Sequence, residues 1–191
     1  MPVAALLRKA IMLGAAALLG ACSAVAPPYQ ASVTSVDVTS RLGGPIAVGK
    51  FGYAPGREAE LNSVGARVMT FIPPTNGSYA DYFADAAAKD LKAAGKLDPA
   101  SARVLTGTLL KNYLTAAGAG FNQSELQVRF RLASGGQVLY DKVIEARREW
   151  ESSLLAAIAT PRALDNYGAT LQLLLRNLFA DPDFVAASGA R

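Results

Sequence analysis

The hydrophobic positions along this chain change period several times, and each change marks an element. Leu126, Val128, Phe130 and Leu132 alternate with Glu125, Gln127, Arg129 and Arg131. A period of two predicts a half-buried antiparallel strand with one wet face. Ser134-Gly135-Gly136 supplies a hairpin turn, and Val138 to about Glu149 returns as the partner. Arg103 to Leu114, rich in strand formers, precedes this hairpin, with Gly118 to Asn122 read as the loop between. Nearer the N-terminus, Val33 to Val38 alternate as V-T-S-V-D-V and predict a first strand. Ile46 to Phe51 predict a second, after the Gly43-Gly44-Pro45 turn. Residues 52–62 read as a polar loop, and Val64 to Ile72 as one further strand.

Two segments carry the helical period instead. Ser78 has the position of an N-cap, because its hydroxyl can accept from the free N–H groups of a first turn. The helix it opens is predicted from Tyr79 to about Ala94, with Phe83, Ala87, Leu91 and Ala94 as its buried stripe and Gly95 closing it. Thr160-Pro161 reads as cap and first position of a second helix, striped by Leu164, Tyr167, Leu171, Leu174, Leu175 and Leu178 and stopped at Asp181-Pro182. Trp150 to Ala159 fits a strand end, a helical turn or a partly buried loop equally well. Two amphipathic helices must each bury one face. The predicted fold is therefore α+β, an antiparallel sheet with both helices packed on one face.

The first residues follow a different logic. Arg8 and Lys9 precede an apolar run from Ile11 to Leu19, and Gly20-Ala21 offer small residues before Cys22. That order of charge, apolar stretch and small-residue site is a secretory signal. A membrane-spanning helix wants about 20 apolar residues, more than the clean run here offers. Leu19-Gly20-Ala21-Cys22 resembles the lipobox of bacterial lipoproteins, where cleavage between Ala21 and Cys22 leaves an acylated cysteine as the first mature residue. The resemblance implies a membrane anchor at Cys22, and Ser23 after it resembles an outer-membrane address. The resulting layout is a leader over 1–21, an acylated Cys22 and Pro-containing tether over 22–32, one periplasmic α+β domain over 33–185, and a flexible tail over 186–191.

Charge and composition narrow the chemistry. Loss of Arg8 and Lys9 with the leader takes 19 basic side chains to 17, against 15 acidic, and no run of like charge marks a nucleic-acid footprint. The chain has no histidine and a single cysteine. Ser-His-Asp and Cys-His nucleophilic sites are therefore ruled out, and so is the commonest metal ligand. No cofactor or metal is expected, and no enzyme. Asp81 and Asp85 share a helix face and are the formal carboxylate pair, but acidic residues in a first turn answer the helix dipole alone. Arg57 in the 52–62 loop, Tyr79 and Tyr82 at the start of the first helix, and Trp150 are the candidate contacts for a partner or ligand.

A wider resemblance adds to this. The lipobox, a helix ending in Ala93-Ala94-Gly95, the strand Val104-Leu105-Thr106-Gly107-Thr108-Leu109, a basic alternating hairpin and a closing Leu-rich helix resemble the YajG-type outer-membrane lipoproteins. More distantly they are similar to auxiliary lipoproteins of ABC-type lipid transport systems. The resemblance implies a lipid-anchored periplasmic module that binds an envelope protein, or alternatively an apolar ligand, rather than a catalyst. It covers about residues 80–185 and does not extend to the segment from Gly52 to Gly77.

Overall fold

The computed structural model describes residues 23–66, 69–115 and 120–190. The leader with Ala21, Cys22, Gly118 and Arg191 lie outside the described residues. The elements are β1 (Ser23–Val25), α1 (Val33–Ser40), β2 (Ala47–Tyr53), α2 (Glu58–Leu61), β3 (Val64–Ala66), β4 (Met69–Ile72), α3 (Tyr79–Ala93), β5 (Arg103–Leu114), β6 (Phe121–Ser134), β7 (Gln137–Glu151), α4 (Ala156–Ala180) and α5 (Pro182–Ala187). The fold is α+β, as the period changes predict.

A four-stranded sheet in the order β2-β5-β6-β7 forms the frame, and a small sheet in the order β1-β4-β3 stands beside it. β6 pairs antiparallel with β5 and with β7 along almost its whole length. Leu126, Val128, Phe130 and Leu132 are fully buried, while their alternating neighbours lie on the wet face. One salt bridge on that face joins Arg129 to Asp141 across the hairpin at 2.6 Å. β2, however, runs parallel to β5, so the sheet is mixed rather than wholly antiparallel. The chain between them passes through α3, and a crossover returning through a helix delivers a parallel strand.

Both long helices cover the buried face. Ser78 caps α3 as expected, its hydroxyl accepting from Asp81 N–H at 3.2 Å. Tyr53 and Asn62 complete that cap: Asn62 Oδ1 accepts from Tyr79 N–H at 2.8 Å, and the Tyr53 hydroxyl accepts from Ala80 N–H at 3.2 Å. The Gly52–Gly77 segment thus serves to hold the start of α3. Tyr167 of α4 stacks edge-on against Tyr79 of α3 with centroids 5.8 Å apart, and Leu171, Leu174, Leu175 and Leu178 fill the space down to β6 and β7.

Gly107, in the middle of β5, faces the Phe51 ring. A Cβ built there would lie 2.5 Å from Phe51 Cε2, and Phe51 is itself buried and packed edge-on against Phe130. A glycine inside a strand often marks such a close approach.

Several expected elements differ. Residues 33–38 form helix rather than strand. Ser32 caps it by accepting from Ser35 N–H at 3.1 Å, and its buried residues are Ser35 and Thr39, not the valines. Thr39 satisfies its hydroxyl on Ser35 C=O at 2.7 Å, so a hydroxyl-bearing face can pack against α4. Val64 to Ile72 is a hairpin of two short strands, and a short helix interrupts the 52–62 loop. α4 begins at Ala156, ahead of Thr160-Pro161, with Pro161 inside it. The alanine-rich turn before the proline buries Ala159, and Pro161, sixth in the helix, forgoes the N–H bond to Ala157 C=O. Trp150 belongs to β7. Finally, the C-terminal stretch does not fray from Ala186: α5 runs to Ala187, Phe184 packs against Tyr140 and Phe179, and Ser188 Oγ accepts from Gly43 N–H at 2.8 Å.

Candidate functional site

Residues 23–32, expected to be a free tether, are bound to the domain along their length. β1 pairs with β4 from Ser23↔Thr70 to Val25↔Ile72, and Ala26 N–H continues the ladder onto Ile72 C=O at 2.8 Å. Tyr82 then donates its hydroxyl to Pro27 C=O at 3.2 Å, and Gln172 of α4 donates to Gln30 C=O at 2.8 Å. Pro27-Pro28 supply the extended, stiff backbone such a strap needs.

The strap's strongest fastening is Tyr29. Its hydroxyl donates to both oxygens of Asp90, at 3.0 and 2.9 Å, and both side chains are buried. Burial pushes the Asp90 carboxyl up to about 6, with the Tyr29 hydrogen bond opposing in part. Burial, with the Asp90 charge and its hydrogen bond adding, holds the Tyr29 phenol well above its ordinary range. Tyr29 therefore remains the donor throughout the accessible pH range. The helical period puts Asp90 on α3 but does not name its partner, which lies 61 residues away in a segment that reads as linker.

A groove of ≈ 260 Å³ opens beside the strap, between Pro27, Pro28 and Tyr82 on one wall and Leu164, Gly168 and Gln172 of α4 on the other. Burial, then the Asp85 charge, pushes the Tyr82 phenol up to about 12. Its hydroxyl is used in holding Pro27, so Tyr82 is a wall of the groove and a fastening of the strap. Gly168 sits inside a helix, where glycine costs about 1 kcal/mol relative to alanine. Its missing side chain opens the groove floor.

The other sequence candidates are dispersed. Tyr79 is fully buried, donates to Phe71 C=O at 3.1 Å and stacks on Tyr82 and Tyr167, so it is core and not a contact residue. Arg57 grips Glu60 and also donates to Leu110 C=O at 2.7 Å, tying α2 to β5 at an open concavity. Asp81 receives Asn76 Nδ2 at 3.2 Å, and Asp85 pairs with Lys89 at 2.7 Å. Among the described residues no group of three His, Cys, Asp or Glu could hold a metal. Nor is any helix there long and apolar enough to cross a membrane. With the strap, its groove and the two-layer frame in place, the fold can be matched. A crystal structure of a Xanthomonas campestris protein described under the family model DUF330 shares it.

That match has a TM-score of 0.59 at 10% identity and covers 86% of this chain and 96% of the other. A hypothetical protein from Chlamydia trachomatis aligns with a TM-score of 0.45 at 14% identity, over 78% of this chain and 97% of the other. A Caulobacter crescentus CB15 protein named as a candidate lipoprotein aligns with a TM-score of 0.45 at 13% identity, over 83% and 99%. No family model and no curated protein matches the sequence.

Trp150 lies across from Asn122 in the β6–β7 ladder, near the start of α4. Trp150 Nε1, Asn122 Oδ1 and Ser124 Oγ are buried without a hydrogen-bond partner among the described residues. Asn112, by contrast, is fully used: it accepts from Tyr167 and donates to Leu61 C=O, both at 2.8 Å. Removing a satisfied buried bridge strands its partners, whereas removing an unpartnered hydroxyl strands nothing. Asn112→Ala is therefore expected to lower stability by about 2 kcal/mol, and Ser124→Ala to leave it level or raise it by up to about 1 kcal/mol. Urea unfolding midpoints of the two variants check this.

Proposed function

We propose that this chain is a lipid-anchored lipoprotein of the bacterial envelope, attached through acylated Cys22 to the periplasmic face of the outer membrane and acting there as a non-enzymatic binding module. The observation that carries the reading is Leu19-Gly20-Ala21-Cys22, with the chain's only cysteine directly after an apolar run. The strap supports it. A residue immediately before Ser23 is one Cα–Cα step, ~3.8 Å, from a strand fixed in the domain, so an acyl anchor there keeps the domain close to the bilayer surface. A single acyl chain binds a bilayer only marginally and two or more anchor stably, so the reading implies multiple acylation.

Rings fill the space between helices and sheet: Tyr79 and Tyr167 at one end, Phe51 and Phe130 at the other. The strap groove is the place left for an apolar group of a partner. Expressed in a bacterial host, the chain is expected to take up labelled palmitate and to float with membranes in a density gradient. The intact mass is expected to fit a chain starting at residue 22 plus acyl groups. Cys22→Ala is expected to abolish label and flotation together; an unlabelled native chain, or a Cys22→Ala chain that still floats, overturns the reading.

A further inference from the structure

The anchor reading leaves open what the domain does with the bilayer below it, and four exposed apolar side chains bear on this. Phe121 opens β6, and Leu154, Leu155 and Ile158 lie at the turn into α4. Phe121 is 78% exposed and Leu155 65%, with Leu154 and Ile158 also exposed. They lie at one end of the sheet because the strand ends are joined there: Phe121 pairs with Glu151, and Ser152 N–H donates to Gly120 C=O at 2.8 Å. Single exposed apolar residues are ordinary, but several gathered at one end of a domain mark a contact surface.

These residues lie towards the end of the molecule at which the described chain begins. The strap passes Tyr82 at Pro27 and reaches Asp90 at Tyr29, so it climbs α3 from start to finish. Ser23, four residues before Pro27, therefore lies ~13 Å further down, towards or beyond the start of α3. Tyr167 meets Tyr79 at the start of α3, and α4 reaches back from there to Leu155. Twelve residues at 1.5 Å each carry it ~18 Å past that level. Val25 and Ile72, paired and exposed, lie at this same end. Arg148 and Arg162 stand exposed at this end, where guanidinium groups suit lipid phosphates. Glu151 is the carboxylate among them, and Glu149 is paired with Arg147.

We infer that this end of the domain is a lipid-contacting surface, and that Phe121, Leu154, Leu155 and Ile158 enter the leaflet to which Cys22 is attached. The inference rests on the anchor reading. The occupant is the bilayer because the described chain begins at Ser23, the residue after the proposed acylation site, and an anchor one residue from β1 makes the insertion intramolecular. Insertion by four side chains then sets the domain's tilt on the leaflet.

The test uses the acylated full chain carrying Trp150→Phe and Phe121→Trp, which leaves one tryptophan at this surface. Vesicles of phosphatidylethanolamine and phosphatidylglycerol, with or without bromine on the acyl chains, report its depth. At least twofold quenching by the brominated lipid is expected, falling by more than half when Leu155→Ser and Ile158→Ser are added to a chain that still floats. A floating chain with unquenched tryptophan overturns the inference and leaves the anchor reading standing; a chain that does not float overturns both. Unquenched, blue-shifted emission together with self-association by light scattering assigns the surface to a second copy and also overturns it. An unchanged urea midpoint for Phe121→Trp shows that the probe leaves the fold intact.

Discussion

A Gly107→Val chain is expected to lose about 3 kcal/mol of stability, seen as a lower urea midpoint with an unchanged slope. The Cβ alone would fall 2.5 Å from Phe51 Cε2 and 2.6 Å from Cδ2, well inside contact distance. Phe51 has no room to yield, because it is buried and its ring meets Phe130 at a centroid distance of 6.0 Å. Valine fits a strand better than glycine by up to about 1 kcal/mol, but overlap with a ring held on both sides outweighs that gain. Gly52 is the control. It lies on β2 one residue from Phe51, and a Cβ there meets nothing within 4 Å. Gly52→Ala is therefore expected to be neutral or to gain about 0.5 kcal/mol through the unfolded chain. Equal losses at both positions would mean that strand backbone, not the Phe51 contact, sets the effect.

Gly107 also shows where sequence reading stops. The alternation of Leu126 to Leu132 against charged neighbours reports one buried face, and it transfers directly to the observed β6 because period and burial have the same cause. The stripe of Leu171, Leu174 and Leu178 on α4 transfers for the same reason. Residues 33–38 fail because both templates fit so short a run, and tertiary contact decided between them. Burial fell on Ser35 and Thr39, whose hydroxyls bond within the helix, and left Val33 exposed. Thr160-Pro161 misleads differently. The motif is a good helix start, but the helix begins four residues earlier, at Ala156, and buries Ala159 just ahead of the pair.

The candidate site was legible only in part. Tyr82 was reached through its position at the start of a helix, and it does line the groove, but Tyr79 three residues earlier points into the core. Tyr29 had no signal at all, since a tyrosine after Pro27-Pro28 in a short, aperiodic stretch looks like linker. What makes it structural is Asp90, a carboxylate on the buried side of α3. An acid at a core position on an otherwise apolar face is the one local mark of an unseen partner, because a buried carboxylate is rarely left without one.

That pair is expected to make stability fall as pH rises. The Asp90 carboxyl titrates at about 6 in the folded chain, above its ordinary value of 3.8. The folded state therefore holds the proton more tightly than the unfolded state does. The stability this contributes is fully present below pH 4 and is lost as pH rises through 6. About two pKa units correspond to about 3 kcal/mol, the order of the burden of keeping the carboxylate charged inside at pH 8. Asp90→Asn keeps an acceptor for Tyr29 and removes the charge. It is expected to be more stable than the native chain at pH 8 by up to about 3 kcal/mol, and equal to it near pH 4. Tyr29→Phe acts in the opposite sense. It takes the phenol donor from a buried carboxylate, so it is expected to lose about 2 kcal/mol at pH 8 and about 1 kcal/mol at pH 4, where only a neutral hydrogen bond is missing. Urea unfolding of the three chains at the two pH values measures both differences. Amide exchange over residues 26–32 separates strap release from global unfolding, since Tyr29→Phe is expected to speed exchange there before it changes β6. If the Asp90→Asn and native chains give parallel stability curves from pH 4 to 8, Asp90 is not the group that titrates between them.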